Sequence, residues 1–235
     1  MASMKRIVFG VFAHPDDEAF GPSATLMQEV AQGAELHLIC LTAGEKGINA
    51  DKYENLGEVR LKEWQAAGDA IGATTLYALG YADGSLCNNL YHDVVAKIES
   101  VVLKVCKSHQ EPLEICFVTF DTNGLTGHLD HVAASYMATH VFYQLKAHPP
   151  AGATIHEIAY FCFSQHQLPA PRLDYFVYMP AGYPDNYITR KVDVSKLLPR
   201  KYKIMHLHKT QRADAETFLA YGEAFHATDN FHVLE

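Results

Sequence analysis

With 235 residues, 49% of them hydrophobic, the chain is long enough to bury one sizeable core, and α/β folds of this length are commonly single domains. Its 19 basic against 27 acidic residues, a formal charge of -8, leave no basic footprint for a phosphate backbone, so nucleic acid is not an expected partner. Five cysteines, an odd number with no CxxC spacing and mostly within apolar runs, read as reduced core residues of a cytoplasmic protein.

The opening "MASMKRIVFGVFA" has the layout of a signal peptide, a basic pair before an apolar stretch, but only seven residues separate Arg6 from His14 and charge follows at once. No run approaches the roughly 18 apolar residues that cross a bilayer. Short runs rich in Val, Ile and Phe predict strands buried on both faces at 6–13, 35–42 and 114–120, with a weaker one at 74–80. Between them, "LGEVRLKEWQAAGDAIG" and "VVAKIESVVLKVC" carry apolar residues at helical spacing. Alternating strands and helices predict a mostly parallel sheet flanked by helices. After Ala147 the pattern changes. "HPPAGA" reads as a loop, "IHEIAYFCFS" and "DYFVYMP" as strands, and "SKLLPRKYKIMHLHKTQ" leads into a helical tail from Ala213. The reading is one domain over 1–235, with a core over about 1–147 and a small C-terminal add-on of strands and helices over about 148–235.

Charge clusters directly after two of these strands. "HPDDE" follows the first, and "DTNGLTGHLDH" follows the strand at 114–120. In open parallel sheets ligands bind beyond the carboxyl ends of the strands, so both loops are expected at one crevice. Pro15 stiffens the first loop and puts a helix start just after it. His14 and Asp17, three apart, share one side of that incipient turn, while Asp16 points elsewhere. An imidazole and a carboxylate beside an empty crevice suit Zn²⁺ or a similar ion, and one histidine of the second loop, His128 or His131, would make a three-ligand site with a position open for water. Asp130 can hold one imidazole in a chosen tautomer. Alone, HPDDE has a second reading as a capped helix start, and HxDH reads better as a surface turn; their joint placement favours a site. There is no GxGxxG, P-loop or GxSxG elbow, which argues against nucleotide cofactors and serine hydrolases.

At these residues the chain resembles the LmbE-like (PIG-L) N-acetylglucosaminyl deacetylases, whose marks are A-H-P-D-D-E after the first strand and H-x-D-H after a later one. "GEVRLKEWQAAGDAIGA", "LGYADGSL" and "HLHKTQ" are similar to further family segments. The resemblance implies a Rossmann-like α/β fold and a mononuclear zinc, with iron(II) as the alternative ion, held by His14, Asp17 and His131. It implies Asp16 as general base, His128 as acid or electrostatic partner, and Asp130 as its orienting neighbour. Arg60 on the family's arginine-bearing helix is implied to contact the substrate or to anchor a loop, and His208 in the late H-x-x-Q segment is an implied substrate contact. Thr126 stands where some members have Tyr, and Leu129 where Pro is commoner. Family relatives often form trimers or hexamers, so a homo-oligomer is expected.

The activity implied is removal of an acetyl group from an N-acetylglucosamine-type sugar or conjugate, and the residues suit it. A metal lowers the pKa of a bound water from 15.7 towards about 7, Asp16 would take the proton, and a histidine kept protonated by Asp130 could stabilise negative charge or protonate the amine. The alternatives are metal-dependent hydrolysis of another amide or a phosphoester, and a metal- or sugar-binding module without turnover. Arg60 by default reads as a solvated face charge, Asp83 as a turn former or loop anchor, Glu18 as a helix N-terminal charge or a support for the ligands, and His92, His109 and His226 as surface residues.

Overall fold

A computed structural model of the chain describes residues 4–173 and 178–235. Sixteen strands and helices follow in the order β1 (Lys5–Phe12), α1 (Asp17–Phe20), α2 (Ser23–Ala31), β2 (Glu35–Thr42), α3 (Leu56–Ile71), β3 (Thr75–Tyr81), α4 (Tyr91–Ser108), β4 (Leu113–Phe120), the single turn α5 (Gly124–Gly127), α6 (Leu129–Ala147), β5 (Ala153–Cys162), β6 (Arg190–Asp193), α7 (Leu198–Met205), α8 (Arg212–Leu219), α9 (Glu223–His226) and β7 (Thr228–Leu234). The strands form one seven-stranded sheet, β3-β2-β1-β4-β5-β7-β6. The first five run parallel, and β7 is antiparallel to both β5 and β6.

Strand β1 shows why its run is apolar without interruption. Because successive side chains point to opposite faces, Val8 and Phe12 enter one core with α1, α2, α3, α7 and α8, while Ile7, Phe9 and Val11 enter the other with α4 and α6. Both faces are dry, as in parallel sheets generally. Phe9, Phe117 and Phe142 follow one another in the second core with centroids 5.7 and 6.3 Å apart, each burial contributing on the order of 2–3 kcal/mol. In the first core a fully buried ion pair, Lys201 Nζ to Asp229 Oδ1 at 3.0 Å, ties α7 to β7.

Strand order positions the site. From β1 the chain winds to β2 and β3 on one side, then returns to lay β4 on the other, so the order reverses between β1 and β4. A crevice opens at such a switch point, outside the carboxyl ends of the strands. Residues 12–21 and 121–131 emerge there.

Several expectations change. The segment after Ala147 is less separate than its sequence style suggests, because β5 pairs with β4 along its length and β6 and β7 extend the same sheet. Residues 174–177 of the "DYFVYMP" strand lie outside the described residues, and Met179 makes only an isolated bridge to Arg172. The helical tail stops at His226 and is followed by β7. Cys87 is exposed, whereas Cys40, Cys106, Cys116 and Cys162 are buried. His226 is buried and not on the surface: its Nε2 donates to the Phe218 carbonyl at 2.8 Å.

Candidate active site

The first loop is fixed from inside. Backbone N–H groups of Ala13 and His14 donate to Asp17 Oδ2 at 3.0 and 2.9 Å, curling the chain into α1 directly after Pro15 and Asp16. The curl forces Asp16 to φ 116°, ψ −23°, a left-handed conformation that costs a non-glycine residue about 1–3 kcal/mol and recurs at functional sites. Leu125, in the second loop, has φ 59°.

His14, Asp17 and His131 come together. His14 Nδ1 lies 3.0 Å from His131 Nε2, His131 Nε2 lies 3.1 Å from Asp17 Oδ1, and His14 Nδ1 lies 3.9 Å from Asp17 Oδ2. The outer nitrogens of both rings are already committed. His14 Nε2 donates to Asp83 Oδ1 at 3.0 Å and lies 3.4 Å from Asp130 Oδ2, while His131 Nδ1 donates to the Gly124 carbonyl at 3.1 Å. Their inner nitrogens therefore face each other and a carboxylate as three electron-pair donors, an arrangement that demands positive charge between them. A proton meets part of that demand: although burial alone would lower the His14 pKa, its hydrogen bonds to Asp130 and Asp83 and the charge of Asp17 raise it to about 10. Burial would raise Asp17, yet His131 and His14 hold it below the usual carboxylate range. Two imidazoles and a carboxylate, each oriented by an outer hydrogen bond, could hold a borderline divalent ion such as zinc or iron(II). His128 stands close by, its ring centroid 4.7 Å from that of His14 and 4.9 Å from that of His131.

Asp16 stays outside this group. Arg60 reaches it from α3, with Nη2 2.8 Å from Asp16 Oδ2 and 2.7 Å from the Pro15 carbonyl, and Nη1 2.7 Å from the Gly44 carbonyl. Arg60 is therefore no solvated face charge: it is buried and clamps the first loop to the loop after β2, and it also borders the cavity. A Cβ at Gly44 or Gly47 would run into its guanidinium. Burial pushes Asp16 up to about 6 against the pull of Arg60. Arg60→Ala leaves a buried carboxylate and two carbonyls without their donor, so it is expected to lower unfolding free energy by about 3 kcal/mol. Chemical denaturation of the variant measures this.

Three expected roles shift. The Asp130 carboxylate accepts from Gly84 N and Leu86 N at 2.7 and 3.2 Å and turns to His14, and it is the Asp130 backbone N–H that donates to His128 Nδ1 at 3.2 Å. His128 is thus not held protonated: burial and the neighbouring His131 and His14 lower it to about 4, and an accepting Nδ1 puts its proton on Nε2. His208 does not line the cavity. It is wholly buried behind Asp16, with Nε2 3.2 Å from Glu18 Oε1, and Glu18 Oε2 accepts from Asp16 N at 3.3 Å. This pair supports the strained residue from below. Asp83, read as a turn former or a loop anchor, borders the cavity and holds His14.

The cavity measures about 690 Å³, enough for a sugar conjugate, with Phe20, Phe120, Leu125 and Phe218 as apolar wall and Lys46, Gln211 and Asp214 as polar wall. Lys46, Asp214 and Phe218 stand in no spaced motif and carry no sequence signal, whereas Gln211 closes the H-x-x-Q segment; the loop after β2 and the stretch from Gln211 through α8 meet at the cavity because they are pinned to each other.

A mostly parallel sheet that converges two imidazoles and a carboxylate at its switch point, with a further buried aspartate beside them, has the layout of a metal-dependent amidohydrolase. Comparison with known proteins agrees. The family described as PIG-L, GlcNAc-PI de-N-acetylase, matches residues 9–142, and the chain belongs to it. A 1D-myo-inositol 2-acetamido-2-deoxy-alpha-D-glucopyranoside deacetylase of Thermobispora bispora is 29% identical over 241 residues, covering 88% of this chain and 79% of its own. The protein of the same name from Mycolicibacterium smegmatis is 28% identical over 255 residues, covering 96% and 85%. Among solved structures, the N,N'-diacetylchitobiose deacetylase of Pyrococcus horikoshii superposes with a TM-score of 0.67 at 18% identity, covering 98% of this chain and 84% of the other. GalB, the 4-carboxy-2-hydroxymuconate hydratase of Pseudomonas putida, gives 0.64 at 16%, covering 99% and 97%. One fold thus carries a deacetylase and a hydratase, and the reaction has to be argued from the site.

Proposed function

We propose that the chain is a zinc-dependent N-deacetylase acting on an N-acetylglucosamine-type sugar or its conjugate. The observation that carries this reading is Asp16, a buried, strained carboxylate held by Arg60 beside three converging metal donors and not spent as one of them. His14, Asp17 and His131 would hold the ion. When bound, a divalent ion supplies positive charge that acidifies a water and polarises the amide carbonyl. Asp16 takes the proton of the attacking water, and its carboxyl returns it to the amine as the C–N bond breaks. Water and amide become acetate and a free amino sugar. His128, neutral with its proton on Nε2, donates a hydrogen bond to the oxygen on which charge develops. The relatives named above, which act on an acetamido sugar joined to inositol, support a sugar conjugate as substrate. Zinc-loaded protein is expected to release acetate from N-acetylglucosaminyl conjugates and to stop on chelation. No acetate from any N-acetylhexosaminide would overturn the reading.

The same reading puts the chain in the cytoplasm as a homo-oligomer, trimeric or hexameric. Among the described residues no helix is long and apolar enough to cross a membrane. Helix α6 exposes Leu129, Tyr136 and Tyr143 at seven-residue spacing, surface that a second copy could cover. A monomer in light scattering at micromolar concentration would reject the oligomer.

A further inference from the structure

Asp214, in the first turn of α8, borders the same cavity as Asp16, Asp17 and Asp83. Those three carboxylates are engaged, by Arg60, by backbone N–H groups and His131, and by His14 and Lys46 N respectively. Asp214 makes no hydrogen bond or ion pair with any described residue although it is half-buried, and burial pushes its carboxyl up. A half-buried carboxylate without donors is costly in a folded protein unless something else supplies them.

Its surroundings indicate what does. Phe218, one turn further along α8, puts an aromatic ring on the same cavity. The helix is pinned to the loop after β2, because Gln211 Nε2 donates to the Ile48 carbonyl at 3.1 Å and Arg212 binds Asp51 through two contacts of 2.7 and 2.8 Å. The helix that presents carboxylate and ring is therefore held in place ahead of any ligand. A sugar or cyclitol offers the matching surface, apolar C–H groups on its face and hydroxyl donors on its edge, and an ionised carboxylate can accept two of them at once. Charge points the same way. The cavity wall carries four carboxylates against Lys46 and Arg60, a balance that a divalent cation brings to zero, with nothing left over for an anionic substrate.

We propose that Asp214 is a specificity-determining residue: its carboxylate accepts hydrogen bonds from hydroxyls of a neutral, polyhydroxylated part of the substrate that Phe218 covers, and it disfavours anionic conjugates. The inference rests on the deacetylase reading of the cavity. The test compares wild type, Asp214→Ala and the isosteric Asp214→Asn on the neutral 1D-myo-inositol conjugate of N-acetylglucosamine and on the anionic N-acetylglucosamine 1-phosphate. Asp214→Ala is expected to raise KM for the neutral conjugate about tenfold with a much smaller change in kcat, and both variants to narrow the preference over the phosphate. KM values within threefold of wild type in both variants would overturn the proposal while leaving the deacetylase intact. If wild type released no acetate at all, the deacetylase reading would fall, and calorimetric titration of the three proteins with the inositol conjugate would still decide the role of Asp214. Tenfold weaker binding by Asp214→Ala upholds it; equal binding, or none by wild type, overturns it.

Discussion

Asp16→Asn is expected to fold, to keep its metal and to turn over 10²- to 10⁴-fold more slowly, the usual contribution of a general base. The substitution isolates one property. Asparagine tolerates positive φ better than most residues, so the backbone at φ 116° is not further strained, and its amide oxygen can still accept from Arg60 Nη2. What it cannot do is take a proton. Metal analysis and a thermal melt alongside the kinetics separate this loss from a failure to fold. A normal rate would mean that the Asp16 side chain only holds Arg60.

Removing a donor from the group of three is expected to have a larger effect, with turnover falling to background. His131→Ala takes away one of the two inward imidazole nitrogens, and Asp17→Asn replaces the carboxylate with a neutral amide whose oxygen can still accept from Ala13 N and His14 N, leaving an NH2 group where Oδ1 faces His131. Both variants should be purified with little metal, and Asp17→Asn should keep its fold, which makes it the cleaner test. Acid should release the ion from wild type as well. Protons compete for the nitrogens that bind it, and the carboxylates around His14 favour that proton, so affinity falls as pH falls. Full metal in His131→Ala would refute the assignment.

Much of the catalytic half was legible because both loops are local in sequence. "HPDDE" and "HLDH" each hold their chemistry within five residues, the first directly after a strand's apolar run and the second seven residues after another, and the parallel sheet carries both runs to one crevice. The roles of Arg60, Asp130 and His208 were harder to read, since each depends on a partner far along the chain. Arg60 meets Asp16, Asp130 meets Gly84 and His14, and His208 meets Glu18 across 190 positions. Helical spacing reports which face of α3 is apolar; it cannot report that a guanidinium on that face has three oxygens waiting for it. Strand β7 escaped for another reason. "TDNFHVL" has only a short apolar run, because on one side it pairs with the brief strand β6 and its Asp229 is turned inward to Lys201 and Thr25.

The place of β7 in the sheet affects how the protein is made. Residues 228–234 are made after every other described strand of the sheet and insert between β5 and β6, so these strands cannot pair in the order of synthesis. Until they arrive, β5 presents an open edge, β6 has no partner among the described strands, and Lys201 lacks the carboxylate that neutralises it in the core. Helix α8, which carries Asp214 and Phe218, lies between α7 and β7 in the chain, so the wall it gives the cavity is also completed late. A nascent chain would therefore own both histidine loops long before it owned a finished cavity, and truncation just before Thr228 should yield an aggregation-prone chain and not a smaller enzyme.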